Sequence, residues 1–335
     1  MKRLFKFYLL FFFIFFSFKT IPNDEDILAY KNKITLHYEA LHQSSNVMLN
    51  NYSYLCSNNL ENLNKTKTAF KSMLEKWTKV QHIRVGPIND FNHYSRIQFW
   101  PDKRSVINRQ YIKIKKNPPK ELFDPILLAE KSVALQGIPI LERILYEEFQ
   151  INNKKSDELF FCSYGIAVIK NLNIIFAYLY EAWKNNEYFY DYIDRSQLLS
   201  ELFNSIIIQL EFISTHKIPN LNKLSYKKEE FWRSGYSITG IENNMKSIEY
   251  FYKNILKNRL KEKNYSYSKI EHLFEDIFLL IKELKSKNNS YIFIADNKKK
   301  IADVNRHLKI LLKIFTIQIS EILGLQIGFN KLDGD

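Results

Sequence analysis

From Ile27 to Tyr52 apolar side chains return every three or four residues, at Ile27, Tyr30, Ile34, Tyr38, Leu41, Met48, Leu49 and Tyr52, and no glycine or proline interrupts them. That spacing is the 3.6-residue period of one helix face. Asn23, Asp24 and Glu25 supply a cap and acidic charge at its start. The period returns at Phe70, Leu74, Trp77 and Gln81, in a helix expected over 60–85 and stopped by Gly86–Pro87. It returns at Leu128, Val133, Leu135, Leu141, Ile144 and Leu145 within 125–149, and at Phe161, Val168, Leu172, Ile175, Phe176, Leu179 and Trp183 within 158–186. Further helices are expected near 196–215, 238–257, 268–285 and 297–323. Alternation of period two is missing, and 8 Gly and 8 Pro in 335 residues are too few for many tight hairpins. The expected class is all-α, with two packed bundles of long antiparallel helices, 23–190 and 191–335.

The first 20 residues follow a different logic. Lys2, Arg3 and Lys6 form a cationic head, 7–18 is apolar, and Lys19 ends the run. Such a run is too short to span a bilayer comfortably and has the form of an export signal over 1–20. The expected location is the periplasm or envelope. The alternative is an uncleaved N-terminal anchor, which would hold the chain at the membrane surface. The formal net charge is +13, and without the four cations of this segment it is +9. The remaining cations are scattered, with no basic stripe interleaved with stacking aromatics, which argues against a nucleic-acid partner. For an exported chain, Cys56 and Cys162 fit one disulfide or two buried thiols, and spacing does not decide between them.

One stretch breaks the helical period. Arg96–Arg104 reads R-I-Q-F-W-P-D-K-R, with a Trp, a Pro, an Asp and three cations in nine residues. A segment like this adds little to a core and suggests a built site. Pro101 suits the first turn of a short helix, and Asp102 would complement that helix's dipole. Arg96, Asp102 and Arg104 suit either an anionic ligand or an ion network, and Trp100 could stack on an Arg or fill a pocket.

Several segments, taken in order, carry a resemblance. They are W-x-x-V-Q-H-I-R-V-G-P at 77–87, Arg96–Arg104, S-V-A-L-Q-G-I-P-I-L-E-R-I-L-Y at 132–146, C-S-Y-G-I-A-V-I-K-N-L at 162–172, F-W-R-S-G-Y-S at 231–237 and L-G-L-Q-I-G-F-N-K-L-D-G-D at 323–335. Together they resemble the imelysin-like family of exported bacterial helical proteins. The resemblance implies two helical bundles with a site at their junction, a link to iron uptake or iron response, and an ordered C-terminal tail. It also brings a peptidase assignment with the signature G-x-H-x-x-E, whose His and Glu would share a helix face and one metal. Here Gly137 and Glu142 match, but Pro139 stands at the His position. Proline offers a metal no lone pair, and within a helix it would remove a backbone bond and introduce a kink.

The expected site therefore combines Gly137, Glu142, Arg96, Trp100, Asp102, Arg104, His82, Arg233 and Ser234. Glu142 is the one candidate ligand for iron or another divalent metal, weakened by Pro139. His82 and His93 suit either structural or ligand roles, and His272 with Glu275 repeats the H-x-x-E spacing where the family does not use it. No nucleophile–base motif or phosphate loop appears. The expected function is a non-catalytic, exported, iron-linked protein that binds a metal, a ligand or an envelope iron-uptake partner at the junction. The alternatives are a metallopeptidase and a purely structural envelope adaptor.

Overall fold

The computed structural model describes residues 25–58, 62–149, 155–185, 195–219, 226–286 and 294–328. The export segment 1–20, the expected boundary at 190/191 and the terminal tail 329–335 lie outside the described residues. Within them the protein is all-α, without a strand.

Helix α1 (Glu25–Asn58), α2 (Leu63–Val80) and the later α7 (Lys155–Lys184) form one packed group. Between α2 and α7 run short elements: α3 (His93–Ile97), α4 (Val106–Lys116), α5 (Pro125–Ala129) and α6 (Gly137–Arg143). The second group holds α8 (Arg195–Phe212), α9 (Ser237–Phe251), α10 (Lys257–Glu262), α11 (Ser268–Ser286), α12 (Ile294–Lys313) and α13 (Ser320–Leu323). The groups meet chiefly where α2 packs on α9.

The periodic residues do what their spacing implies. Ile27, Tyr30, Ile34, Tyr38, Leu41, Met48 and Tyr52 of α1 are all buried, as are Phe70, Leu74 and Trp77 of α2. One continuous apolar cluster runs through both groups. Segments 159–184 and 197–217 are long and apolar enough to cross a membrane, yet most of each is buried inside the protein, as core helices are. Cys56, near the end of α1, is disulfide-bonded to Cys162 of α7, with their Cα atoms 5.6 Å apart.

Three expectations need correction. The helix expected over 60–85 ends at Val80, and 81–85 is a turn. Pro101 starts no helix, because α4 begins only at Val106. The helix expected over 125–149 is broken into α5, a 3-10 turn at Val133–Leu135, α6, and a π-helical turn at Ile144–Glu148. The break comes at Gln136, whose backbone is extended, and at Gly137, whose φ is +78°. Pro139 therefore sits in the first turn of α6. Amides there have no helical partner, so the proline removes no bond and introduces no kink.

Further π-helical turns end α8 at Ile213–Lys217, follow α9 at Tyr252–Leu256 and follow α12 at Ile314–Ile319. Such turns shift the register of a helix face. The turn at Ile213–Lys217 matters for the site, because it carries Lys217 into the seam between the groups.

Candidate functional site

A cavity of about 720 Å³ opens where Trp100–Asn108, the start of α6 and the loop 227–233 converge. Its wall combines segments from 98–147 and 227–233, which are far apart in the sequence. Gly137 makes this convergence possible. A Cβ there would lie 2.3 Å from the Arg96 carbonyl oxygen and 2.4 Å from that of Ile97, so only glycine lets the Arg96–Trp100 strand of chain cross the start of α6.

Glu142 forms the back of the cavity and is 3% exposed. Its Oε1 accepts from the Ser234 amide at 3.0 Å and from Ser234 Oγ at 2.6 Å. Burial pushes the Glu142 carboxyl up to about 7, while the Ser234 bonds and Arg233 pull in the opposite direction. Beside it, Arg233 Nε lies 2.8 Å from Glu147 Oε1, and Arg143 Nε lies 3.5 Å from Glu147 Oε2. Neither Nε hydrogen points at an acceptor, so these contacts are ion pairs and not aligned hydrogen bonds. Arg143 also donates to Asn108 Oδ1 at 2.9 Å and covers the Tyr111 ring, and Arg233 lies over the Trp232 ring. Lys103, Lys227 and Lys228 complete a cationic rim.

Trp100 lines the cavity as expected. Its indole donates to the Lys228 carbonyl at 3.3 Å and meets Phe212 edge-on. The Trp100–Pro101 peptide is cis. Asp102 also borders the cavity, but it pairs with no Arg. Its two oxygens accept from the Val106 amide at 2.6 Å and the Ile107 amide at 3.1 Å, so it caps α4.

Five candidate residues lie elsewhere. Arg96 donates to Gln136 Oε1 at 3.2 Å and to Asn171 Oδ1 at 2.7 Å, tying the motif segment to α7. Arg104 is exposed and outside the cavity wall. His82 is buried against Tyr30, whose hydroxyl lies 2.7 Å from Nε2, and burial pushes its ring down to about 3. His93 packs between Phe91 and Tyr178, and burial pushes it down to about 4. Neither ring borders the cavity. His272 is exposed and bonded to the Ser268 carbonyl of its own helix.

The donor set does not suit a resident divalent metal. Among the described residues no three His, Cys, Asp or Glu side chains converge. Burial favours the neutral form of Glu142, Glu147 lies between two arginines, Asp102 is committed to backbone amides, and Glu229 is the remaining acid on the wall. A ring of cations faces what a metal would need as ligands.

Behind the cavity lies a polar cluster with no clear sequence signal. Lys217, 2% exposed, donates to Gln81 Oε1 at 2.6 Å and Asn244 Oδ1 at 2.7 Å, and pairs with Glu230 Oε2 at 2.6 Å. Gln81 donates to Glu230 Oε1 at 2.7 Å, and Asn244 to the Thr78 carbonyl at 2.6 Å. Burial pulls the Lys217 ammonium down, and Glu230 opposes that shift. Gln81 belongs to the Q-H-I-R stretch and Glu230 directly precedes F-W-R-S-G-Y, which is the only hint the sequence carries. Lys103, Arg143, Glu147 and Trp232 on the cavity wall each read in the sequence as an ordinary surface or core residue until the segments meet.

Known proteins agree with this architecture. The Imelysin family model matches residues 34–312. No curated protein matches the chain in sequence. Among solved structures, an imelysin-like protein from Psychrobacter arcticum superposes with a TM-score of 0.72 at 15% identity, covering 91% of this chain and 98% of that one. A protein from Parabacteroides distasonis, assigned as an iron-regulated protein A precursor, gives a TM-score of 0.66 at 13% identity, over 90% and 96% of the two chains. At these identities the structural likeness speaks for the fold alone, while the family match spans most of the sequence. The chain belongs to the imelysin family.

Proposed function

We propose that this protein is an exported, non-catalytic binder that takes a small anionic ligand in the cavity between its two helical groups, and that its link to iron runs through an anionic iron chelate. The cavity carries this reading. Its wall holds Lys103, Arg143, Lys227, Lys228 and Arg233 beside Trp100 and Trp232. Of its four acids, Asp102 is held by amides, Glu147 by arginines and Glu142 by Ser234, and Glu229 is the fourth. Guanidinium and ammonium groups beside aromatic faces suit a planar carboxylate or a carboxylate complex. The iron connection is supported by the name of the Parabacteroides distasonis relative. Export is supported by the cationic and apolar pattern of residues 1–20 and by the Cys56–Cys162 disulfide, which persists in an oxidising compartment.

The metallopeptidase alternative is weakened by Pro139 and by the cationic surroundings of Glu142. A metal-chelate cargo needs no protein ligands, so it reconciles the iron link with the donor set.

Calorimetric titration of the mature chain with citrate, ferric citrate and free Fe²⁺ or Zn²⁺ tests the proposal. Citrate or its ferric complex should bind, and Arg233→Ala should weaken that binding by about ten- to a hundredfold, as expected for loss of a charge-assisted hydrogen bond. Stoichiometric uptake of the free divalent ion, or chelator-sensitive peptide cleavage lost in Glu142→Ala, would replace this reading with the metal-site one. Binding of none of these ligands would remove its support.

A further inference from the structure

A second surface lies away from the cavity and uses none of its residues. Four large apolar side chains stand in the open where the segment before and through α5 meets the start of α7. Leu159 is 72% exposed, Ile126 68%, Leu127 42% and Phe123 37%. They are not loosely held. Leu122 and Leu128 anchor the segment in the core, at 1% and 0% exposure. Asp124 fixes the turn by accepting from the Ile126 amide at 2.8 Å and the Leu127 amide at 3.0 Å. Phe123 meets Phe160 edge-on, with ring centroids 6.2 Å apart, which joins the α5 segment to Leu159 on α7. The molecule thus presents a pinned apolar platform to solvent.

A cationic rim borders it. Lys115 lies over the Phe161 ring at 4.9 Å, and Phe161 touches Phe160, so the C-terminal turn of α4 sits beside the platform. That turn and the following link carry exposed Lys113, Lys116 and Lys120. Of the described acids nearby, Glu121 pairs with Lys131 at 3.7 Å, Asp124 is engaged by the two amides, and Glu130 is exposed at the end of α5, against the three exposed lysines. Exposed apolar side chains ringed by lysines are the chemistry of an interfacial membrane contact. A second copy of the chain would set lysine against lysine, which disfavours self-association as the occupant.

We propose that this face docks on an anionic lipid surface, with Phe123, Ile126, Leu127 and Leu159 entering the headgroup region and the α4–α5 lysines meeting lipid phosphates. None of these contact residues lines the cavity, so docking and ligand binding use separate side chains.

Sedimentation of the full mature chain with two kinds of vesicle tests this, one of phosphatidylcholine alone and one of equal parts phosphatidylcholine and phosphatidylglycerol. Binding should require phosphatidylglycerol and fall with salt. Lys116→Glu with Lys120→Glu should weaken it at least tenfold, and Ile126→Ser with Leu127→Ser should abolish it. The substituted side chains are exposed, so circular dichroism should be unchanged. As an independent readout, Ile126→Trp should give fluorescence that shifts to the blue on the mixed vesicles and is quenched by brominated lipid. Failure of the parent to bind, equal binding to both vesicles, or an unquenched Ile126→Trp overturns the proposal. So does a patch variant that changes the oligomeric state or loses an acidic protein partner while still binding lipid.

Discussion

Two polar clusters cross the same seam between the helical groups, and they are built differently. Around Lys217 every charged and polar group is buried and satisfied: the ammonium meets Gln81, Asn244 and Glu230, and Gln81 and Asn244 pass their own amide hydrogens to Glu230 and Thr78. Around Glu142 the contacts are fewer and face open space. The carboxyl is held from one side by Ser234, and the neighbouring arginines pair with Glu147 in geometry too poor for hydrogen bonds. A closed network of this kind orients the two groups and has nothing left to offer a ligand. The open cluster keeps donors that a ligand can still take. The difference teaches that membership of a family motif is not a marker of function by itself: Gln81 and Arg96 serve the architecture, and Arg233 and Trp100 reach the cavity.

Variants can break or sharpen this contrast. The largest effect should come from the closed network. Glu230→Ala leaves a buried ammonium without its counter-charge and should cost about 3–5 kcal/mol, read as a lowered urea midpoint. The double variant Lys217→Met with Glu230→Leu should recover most of that loss. If the double variant is as unstable as the single one, the network contributes more than charge compensation.

Gly137→Ala should follow, at about 1–3 kcal/mol. It forces a side chain into a left-handed backbone and against the carbonyls of Arg96 and Ile97. Because those carbonyls position the cavity segment, thermal melting and ligand titration should both respond. An effect on melting alone would separate the segment's position from binding.

Ionisation gives the open cluster its own signature. Glu142, raised to about 7 by burial, contributes stability that is complete below the ordinary carboxylate value of 4.5 and is lost as pH rises through 7. His82 and His93, lowered to about 3 and 4, act in the opposite sense: their contribution is present above 6.5 and is lost as pH falls through those values. Between pH 7 and 4.5 the terms oppose each other. Glu142→Gln removes the one that favours acid, so this variant should lose more stability on acidification than the parent. Urea midpoints across that range measure the difference, and parallel profiles would place the Glu142 proton elsewhere.

The smallest stability effect should come from Ser234→Ala, about 1 kcal/mol. It removes the hydroxyl bond but leaves the amide bond to Glu142. Its use lies in the pH profile, where the Glu142 step should move upward, because a bond favouring the carboxylate has been lost.

Much of the helical framework was legible in the chain. The apolar faces of α1, α2 and α7 emerged almost residue for residue, because helical period is a local property and burial follows it. The family was legible too, since its motifs run in order over most of the chain. The breaks were not. The interval 125–149 has continuous apolar spacing, yet Gln136 and Gly137 adopt backbone angles set by the crossing of the Arg96–Ile97 segment. Asp102 illustrates the same limit at the site. The sequence places it in the first turn of a helix begun by Pro101, but the helix starts at Val106, and both carboxylate oxygens are taken by backbone amides that a reading of charge pairs does not consider.

What the sequence determined by itself, then, is the helical class, the buried face of the long helices, and the family. The tertiary structure decided which charges are closed off and which remain open. Lys217 and Gln81 are 136 positions apart, and Ser234 and Glu142 are 92 apart. Local periodicity carries no information about such pairs. Only the packing of separate segments sets the distances and desolvation that turn one lysine into a buried strut and one glutamate into a titrating wall of a cavity.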